Sequence, residues 1–431
     1  MTIMKTNLII TAGPIIGAAL MTGCGDTAKE AGTVDVAGSI ANPTELKVSD
    51  LGKTITYVPL ATNDSSLVGN NWAVTVTDDL AIVRNSGSII VNGATTGAAG
   101  VLAFSLADGS FLNPVGHGGQ DSEAYMFPFF TVDPKTNTLT FDAANDKRVK
   151  YSADGRFLGA YPKYYTSLST PRPQIIDDTI GISALQNTPG QGEPFLSIVF
   201  TSESGRLLDS IPVVSIPSEA QMGSLSFNGA VTFDTFDGYL PHSQAEGIAF
   251  FIQGQPSMYS APTPALWRAG DELHTLMKFS DTIYSVAMNR APEAALIFDM
   301  GGKGYTPADN GKRDMTENDL MIGELVETPS ALIFGVSKGW NKRANAFIGL
   351  YDKKDGTTRA TKASEGFTDD LTGFMPFFPV AATPDGRYIG IVTQEDIAKW
   401  MEEHPDAKVP EALQAIVDSE EEPNPILVIV K

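Results

Sequence analysis

The chain has a single cysteine, Cys24, among 431 residues, so no disulfide can form within it. Histidine is nearly as scarce. His117, His242, His274 and His404 lie far apart and none stands in an H-x-x-x-H pair, so the sequence offers no zinc motif. Positive charge is in deficit: 30 Lys and Arg against 51 Asp and Glu give a formal charge of −21. A body this acidic repels phosphate backbones, and no local basic cluster makes an exception, so no nucleic acid is expected as a partner. Nucleotide motifs are missing as well. GHGGQD lacks the third glycine of G-x-G-x-x-G, and Gly52-Lys53-Thr54 has Lys47 where a P-loop needs its first glycine. No cofactor is therefore expected. Long apolar runs are absent too: Leu8–Leu20 is broken by Gly13, Pro14 and Gly17 and falls short of the ~20 residues of a membrane span.

What is present at the N-terminus is a leader. Lys5 supplies positive charge, Leu8–Leu20 an apolar stretch, and Thr22-Gly23 small residues before Cys24. This resembles the lipobox of bacterial lipoproteins, in which cleavage before the cysteine leaves it to carry acyl chains. Met21 replaces the more usual leucine. The expected organisation is a lipoprotein signal peptide at 1–23, a tether at 24–32 and a folded domain at 33–431. Lipidation at Cys24 implies a membrane partner and a place in the cell envelope, as an outer-membrane lipoprotein facing the periplasm or the cell surface.

The rest is rich in turns and alternation. There are 41 Gly and 27 Pro, with 42% hydrophobic residues to build a core. YSADGRFLG sets Asp154-Gly155 between apolar runs, a sequence suited to a type I′ hairpin turn. The layout recurs at Asp108-Gly109, Ser204-Gly205, Asp355-Gly356 and Asp385-Gly386, the first three 46 and 50 residues apart. An acid–Thr–apolar pattern at Asp78, Asp177 and Ser280 reads as the entry to inner strands. Units of ~40–50 residues with several strands each point to propeller blades, six to eight of them; a pair of β-sandwiches is the competing architecture. No segment from Thr33 to Gly390 sustains a helical period for three turns, so this region is expected to be all-β. Beyond it, Thr393 with Asp396 forms a capping-box start, Ile397, Trp400 and Met401 share a helical face, and Pro410 suits the first position of a second helix with Leu413, Ile416 and Val417 inward. NPILVIV reads as a final buried strand able to close a ring.

Several stretches resemble an uncharacterised family of six-bladed β-propeller lipoproteins of gut Gram-negative bacteria. NPTELKVSDLGKTITYVPLATNDSSLVG is similar to its opening, and EGFTDDLTGFMPFFPV and NPILVIVK to its C-terminal signature. GHGGQDSEAY matches a Gly-rich turn in part, with Asp121 and Ser122 in place of a Gly and a Pro. The resemblance implies an all-β, six-bladed propeller on a lipid anchor and carries no catalytic residues.

Chemistry is sparse. GVSKG places Ser337 in a G-x-S-x-G, with Asp369 or Asp370 and His404 following in hydrolase order. The segment after it, WNKRANAFIGLYD, reads as loop and strand where a nucleophile elbow needs a helix. Asp142–Asp146 is carboxylate-rich but lacks the spacing of a calcium loop. No catalytic or metal residues are expected. The candidate ligand contacts are Trp340, Asp369, Asp370, Phe374, Phe377 and Phe378, because rings beside carboxylates can grip a sugar or peptide, although the same rings would also fill the gaps between blades. The expected function is binding a glycan or peptide, or scaffolding an envelope complex. The alternative is a hydrolase or lyase on the same body.

Overall fold

A computed structural model describes residues 31–69, 72–85, 89–91, 94–96, 100–162, 174–176, 179–186, 195–215, 231–233, 240–242, 247–251, 258–259, 265–276, 280–306, 309, 316–339, 345–419 and 422–431. The folded unit runs from Ala31 to Lys431. It is an all-β, six-bladed propeller. Blade 1 is built from Trp72–Val76, Leu80–Asn85, Gly100–Ser105 and Phe111–Pro114, and blade 2 from Phe130–Asp133, Thr138–Ala143, Lys147–Ser152 and Phe157–Pro162. Blade 3 uses Gln174–Ile176, Thr179–Gln186, Phe195–Ser202 and Leu207–Ser215. Blade 4 uses Ala265–Ala269, Glu272–Leu276, Thr282–Val286 and Glu293–Asp299. Blade 5 runs through Leu320–Glu327, Ala331–Lys338, Ala346–Asp352 and Thr358–Lys362; blade 6 through Pro379–Ala382, Tyr388–Val392 and Ile426–Val430.

The first strand of each sheet lies at the hub. First strands of neighbouring blades touch one another: blade 5 with 6, 6 with 1, and 3 with 4. The fourth strand of blade 6 comes from the other end of the sequence. Ile55–Pro59 pairs antiparallel with Ile426–Val430, Ile55 opposite Val430 and Pro59 opposite Ile426. This pairing draws the two ends of the folded unit into one blade and makes Ile55–Pro59 its outer strand.

The segment before that strand laces the outside of the ring. Gly32–Asp35 adds a fifth, parallel strand to blade 4. Helix α1 (Val36–Ala41) follows, capped by Asp35, whose carboxylate accepts the Gly38 amide at 2.8 Å. Leu46–Lys47 then pairs with Phe367–Thr368 between blades 5 and 6. Helix α1 is a short element in the region expected to be all-β. Its six residues, VAGSIA, have little intrinsic propensity; burial of Val36 and Ile40 against the blades holds it.

Each joint between blades carries a polar tie as well as an apolar core. Asn113 of blade 1 donates to the Ala153 carbonyl of blade 2 at 2.9 Å. Arg148, with its side chain 1% exposed, and Lys150 reach from blade 2 to Glu203 of blade 3. Between blades 3 and 4, the Asn289 amide donates to Asp209 at 2.7 Å and Arg268 to the Ile175 carbonyl at 3.2 Å. Trp267 and His274 of blade 4 meet Glu327 of blade 5. Thr328 and Tyr388 join blades 5 and 6 at 2.8 Å, and the Asp385 amide of blade 6 donates to Asp78 of blade 1 at 2.9 Å. Because blades 3 and 4 are tied directly, the small sheet of Val231–Phe233, Gly247–Phe251 and Met258–Tyr259 is an addition within the blade 3–4 connection and no seventh blade.

The recurring Gly turns are the third-to-fourth strand turns of blades 1, 2, 3 and 5 and the first-to-second turn of blade 6. Their conformation differs from the expected type I′. Only the glycine has positive φ, as at Gly109 (72°) and Gly155 (84°), and a register shift follows on the strand in blades 1, 2 and 3. This is a glycine bulge closing a type I turn. Asp108 and Asp154 serve it by accepting the amides of Ser110 and Arg156. Positive φ at both central residues occurs instead at Asn145 and Asp146, in the carboxylate-rich stretch of blade 2. The acid–Thr–apolar pattern does precede inner strands: Asp78 and Asp177 stand before second strands and Ser280 before a third. The three inner strands of a blade are all covered on both sides, so apolar content does not mark which is innermost.

Candidate functional site

Antiparallel strands sort the connections between the two ends of the ring. Tight turns gather at one end; the blade-to-blade and second-to-third strand connections gather at the other, the connection face. Blade 6 contributes its helices there. Helix α2 (Gln394–Glu403) begins with the expected capping box: Thr393 accepts the Asp396 amide, and its own amide and hydroxyl donate to Asp396 Oδ2 at 2.7 and 2.6 Å. Ile397 is buried and Trp400 and Met401 pack beside it. Helix α3 (Glu411–Val417) has Pro410 as its cap, one position before the expected first turn residue; Leu413 is buried, Ile416 packs inward, and Val417 is exposed.

Capping fixes the Asp396 carboxylate at the hub end of α2, where it meets an imidazole from a distant part of the chain. His242 Nε2 lies 2.6 Å from Asp396 Oδ2. On its other side the ring stacks on Trp72, the first residue of blade 1, with centroids 6.0 Å apart and planes 22° from parallel. His242 holds a left-handed backbone, φ 53°, which non-glycine residues avoid unless their surroundings impose it. Two residues earlier, Leu240 is buried in the core cluster that includes Tyr57, Met321 and Phe374, and its amide donates to Glu324 Oε1 of blade 5 at 3.3 Å. Burial raises the Asp396 pKa, but hydrogen bonds from His242 and Thr393 outweigh it and hold the carboxyl below its ordinary range. The carboxylate is therefore ionised at neutral pH and faces an aromatic pair: an arrangement that attracts cationic or hydrogen-bond-donating groups with an apolar face.

A second feature of the same face is the connection from blade 1 to blade 2. Asp121 shapes it, accepting the amides of Glu123 and Ala124 and the His117 ring at 2.8 Å. Met126 and Phe127 stand out from it, Phe127 59% exposed, while Arg84 lies over the Phe129 ring at 4.6 Å.

The sequence candidates sit on this face too, but most are committed to the fold. Asp369 is buried and accepts the amides of Leu371, Thr372 and Phe374 within its own turn. Asp370 accepts the Ser49 amide and hydroxyl, fastening the N-terminal segment. Phe374 and Phe377 are core residues and Phe378 packs half-buried against them. Cys24 and Trp340 lie outside the described residues. Ser337 is fully buried in a strand that pairs antiparallel with its successor, and its hydroxyl donates to the Gly339 carbonyl at 3.0 Å, while His404 stacks on Trp400. Nucleophile and base thus have separate local partners.

Wherever a described carboxyl group leaves its ordinary range it moves down, as at Glu203, Glu327 and Asp396, so none of these is held protonated as a general acid. Among the described residues, no three His, Cys, Asp or Glu side chains group to hold a metal ion, and no helix is long and apolar enough to cross a membrane.

Comparison with known proteins places the chain in a family. Residues 31–431 match the domain of unknown function DUF4934, and the chain belongs to that family. No curated protein matches it. Among solved structures it is similar to an inferred exported protein from Bacteroides fragilis, with 16% identity, coverage of 90% of this chain and 97% of that one, and a TM-score of 0.57. It is also similar to a member of the DUF4221 family from Bacteroides vulgatus, 7% identical over 90% of this chain and 97% of that one, with a TM-score of 0.40. The first likeness shows a shared fold.

Proposed function

We propose that the protein is a lipid-anchored, extracytoplasmic binding propeller that takes a peptide or glycan on its connection face, over the hub. The observation that carries this reading is the meeting of Trp72, His242 and Asp396 there, from blade 1, the blade 3–4 connection and the blade 6 helix. An indole face covers apolar C–H groups while an ionised carboxylate accepts amine or hydroxyl hydrogens, which is the pairing such ligands need. The leader ending at Cys24, and the inferred export of the B. fragilis protein, support a place in the envelope.

The test is a glycan and peptide array probed with the full chain in detergent micelles, followed by titration of each hit and analysis of the recovered ligand. Saturable binding with the ligand recovered intact supports the reading. Ligand returned cleaved, or no saturable hit in either class, overturns it.

A further inference from the structure

The path of residues 240–242 is unusual for a connection between adjacent blades. Blades 3 and 4 touch directly, through Asn289 with Asp209 and Arg268 with Ile175. The connection between them has no need to leave that side of the ring. Yet Leu240 bonds to Glu324 of blade 5, and His242 meets Asp396 of blade 6 and Trp72 of blade 1. All three contacts belong to the opposite arc, so the segment crosses the end of the hub.

Its contacts there resemble those of a bound peptide. Leu240 is a buried apolar anchor, 1% exposed. Its amide N–H, a group any peptide carries, is met by a carboxylate oxygen. Pro241 limits the conformations of the link and so lowers the entropy lost on seating it. His242 is held by charge on one side and an aromatic face on the other, in a backbone conformation the chain would not choose locally. We infer that Leu240–His242 occupies, in cis, a peptide-recognition site built by Trp72, Glu324 and Asp396, and that the external ligand is a peptide with an apolar residue followed two positions later by histidine. This rests on the binding reading above and names the ligand class. Tethering gives the internal segment a local concentration of order mM, so a free peptide must displace it and the resting protein binds that peptide weakly.

The experiment uses the full chain in detergent micelles and a fluorescein-labelled peptide YLPHS, read by anisotropy. The double variant Leu240→Ala/His242→Gly removes both anchors and leaves a residue suited to the positive φ. The expected result is affinity at least about tenfold above wild type, lost again by at least about tenfold when Asp396→Asn is added; Asn keeps an acceptor for Thr393 but removes the charge. A cooperative thermal melt establishes that the double variant folds. Should it not fold, His242→Gly alone carries the test: free imidazole should quench its tryptophan fluorescence saturably, and leave wild type unchanged. Equal peptide binding by wild type and the double variant overturns the inference, as does imidazole that has no effect on His242→Gly. If the double variant ignores YLPHS but binds another ligand from the array, this inference falls and the binding reading stands; if it binds neither, both fall.

Discussion

The Trp267 indole nitrogen of blade 4 lies 2.6 Å from Glu327 Oε2 of blade 5, across the joint between the blades. The same oxygen accepts from His274 at 2.9 Å, and the other from Lys353 at 2.7 Å. The Glu327 side chain is 0% exposed, so these bonds replace water entirely. Glu327→Ala leaves a lysine and an imidazole beside a cavity with their partner gone. We expect a loss of about 3–5 kcal/mol, measured by urea denaturation. A loss below about 1 kcal/mol would show that the joint does not depend on this network.

The same joint gives the fold an acid limit. Burial pushes the Glu327 carboxyl up, but His274 and Lys353 overcome this and hold it down to about 2. A folded-state pKa below the unfolded value means the stabilisation is complete above about 4.5 and disappears as pH falls through about 2. The difference corresponds to about 3 kcal/mol. Denaturant midpoints at pH 6, 4 and 2.5 should fall more steeply for wild type than for Glu327→Ala. Parallel curves would place the acid sensitivity elsewhere.

The ring seam has its own weak point. Gly109 turns the chain at the end of blade 1 with φ 72°, and an added Cβ would stand 2.0 Å from the carbonyl oxygen of Pro59, in the closing strand. Gly302 has nearly the same φ, 71°, with nothing within 4 Å of an added Cβ. Gly302→Ala should therefore cost about 1 kcal/mol from backbone strain alone, and Gly109→Ala about 2–3 kcal/mol. Similar losses for the two would show that the seam yields freely at this turn.

How much of this was readable in the sequence depended on the range of the interactions. The bulged turns at Gly109, Gly155 and Gly205 were legible because each is local, and their spacing carries the blade repeat. The capping box of Thr393 and Asp396 was legible for the same reason. Turn type was misread because Asp-Gly serves both I′ and bulged turns, and the choice follows strand twist. Helix α1 was invisible because tertiary burial of Val36 and Ile40, not propensity, makes it. FTDDLTGFMPFFP drew attention through its composition, yet its rings pack in the core, Asp369 caps its own turn and Asp370 ties down Ser49. Trp72, His242 and Asp396 are separated by 170 and 154 residues (242 − 72 and 396 − 242), and no local pattern announces their meeting.

The anchor can be tested independently of the propeller. Cys24→Ser should move the protein from the membrane fraction to the soluble fraction and abolish acyl mass on the N-terminal peptide. Membrane retention of the variant, with no acyl mass on wild type, would contradict lipidation.

The most direct measurement is the Kd of the array ligand for three proteins that all carry His242→Gly, so that the internal ring is absent: this parent, Trp72→Ala on the connection face, and Lys354→Ala in an exposed turn at the opposite end of blade 5. The account predicts that Trp72→Ala weakens binding about tenfold or more, as loss of a buried aromatic contact does, while Lys354→Ala leaves it within about twofold. Unchanged affinity for Trp72→Ala, or a loss confined to Lys354→Ala, would place the ligand on the other face and contradict it.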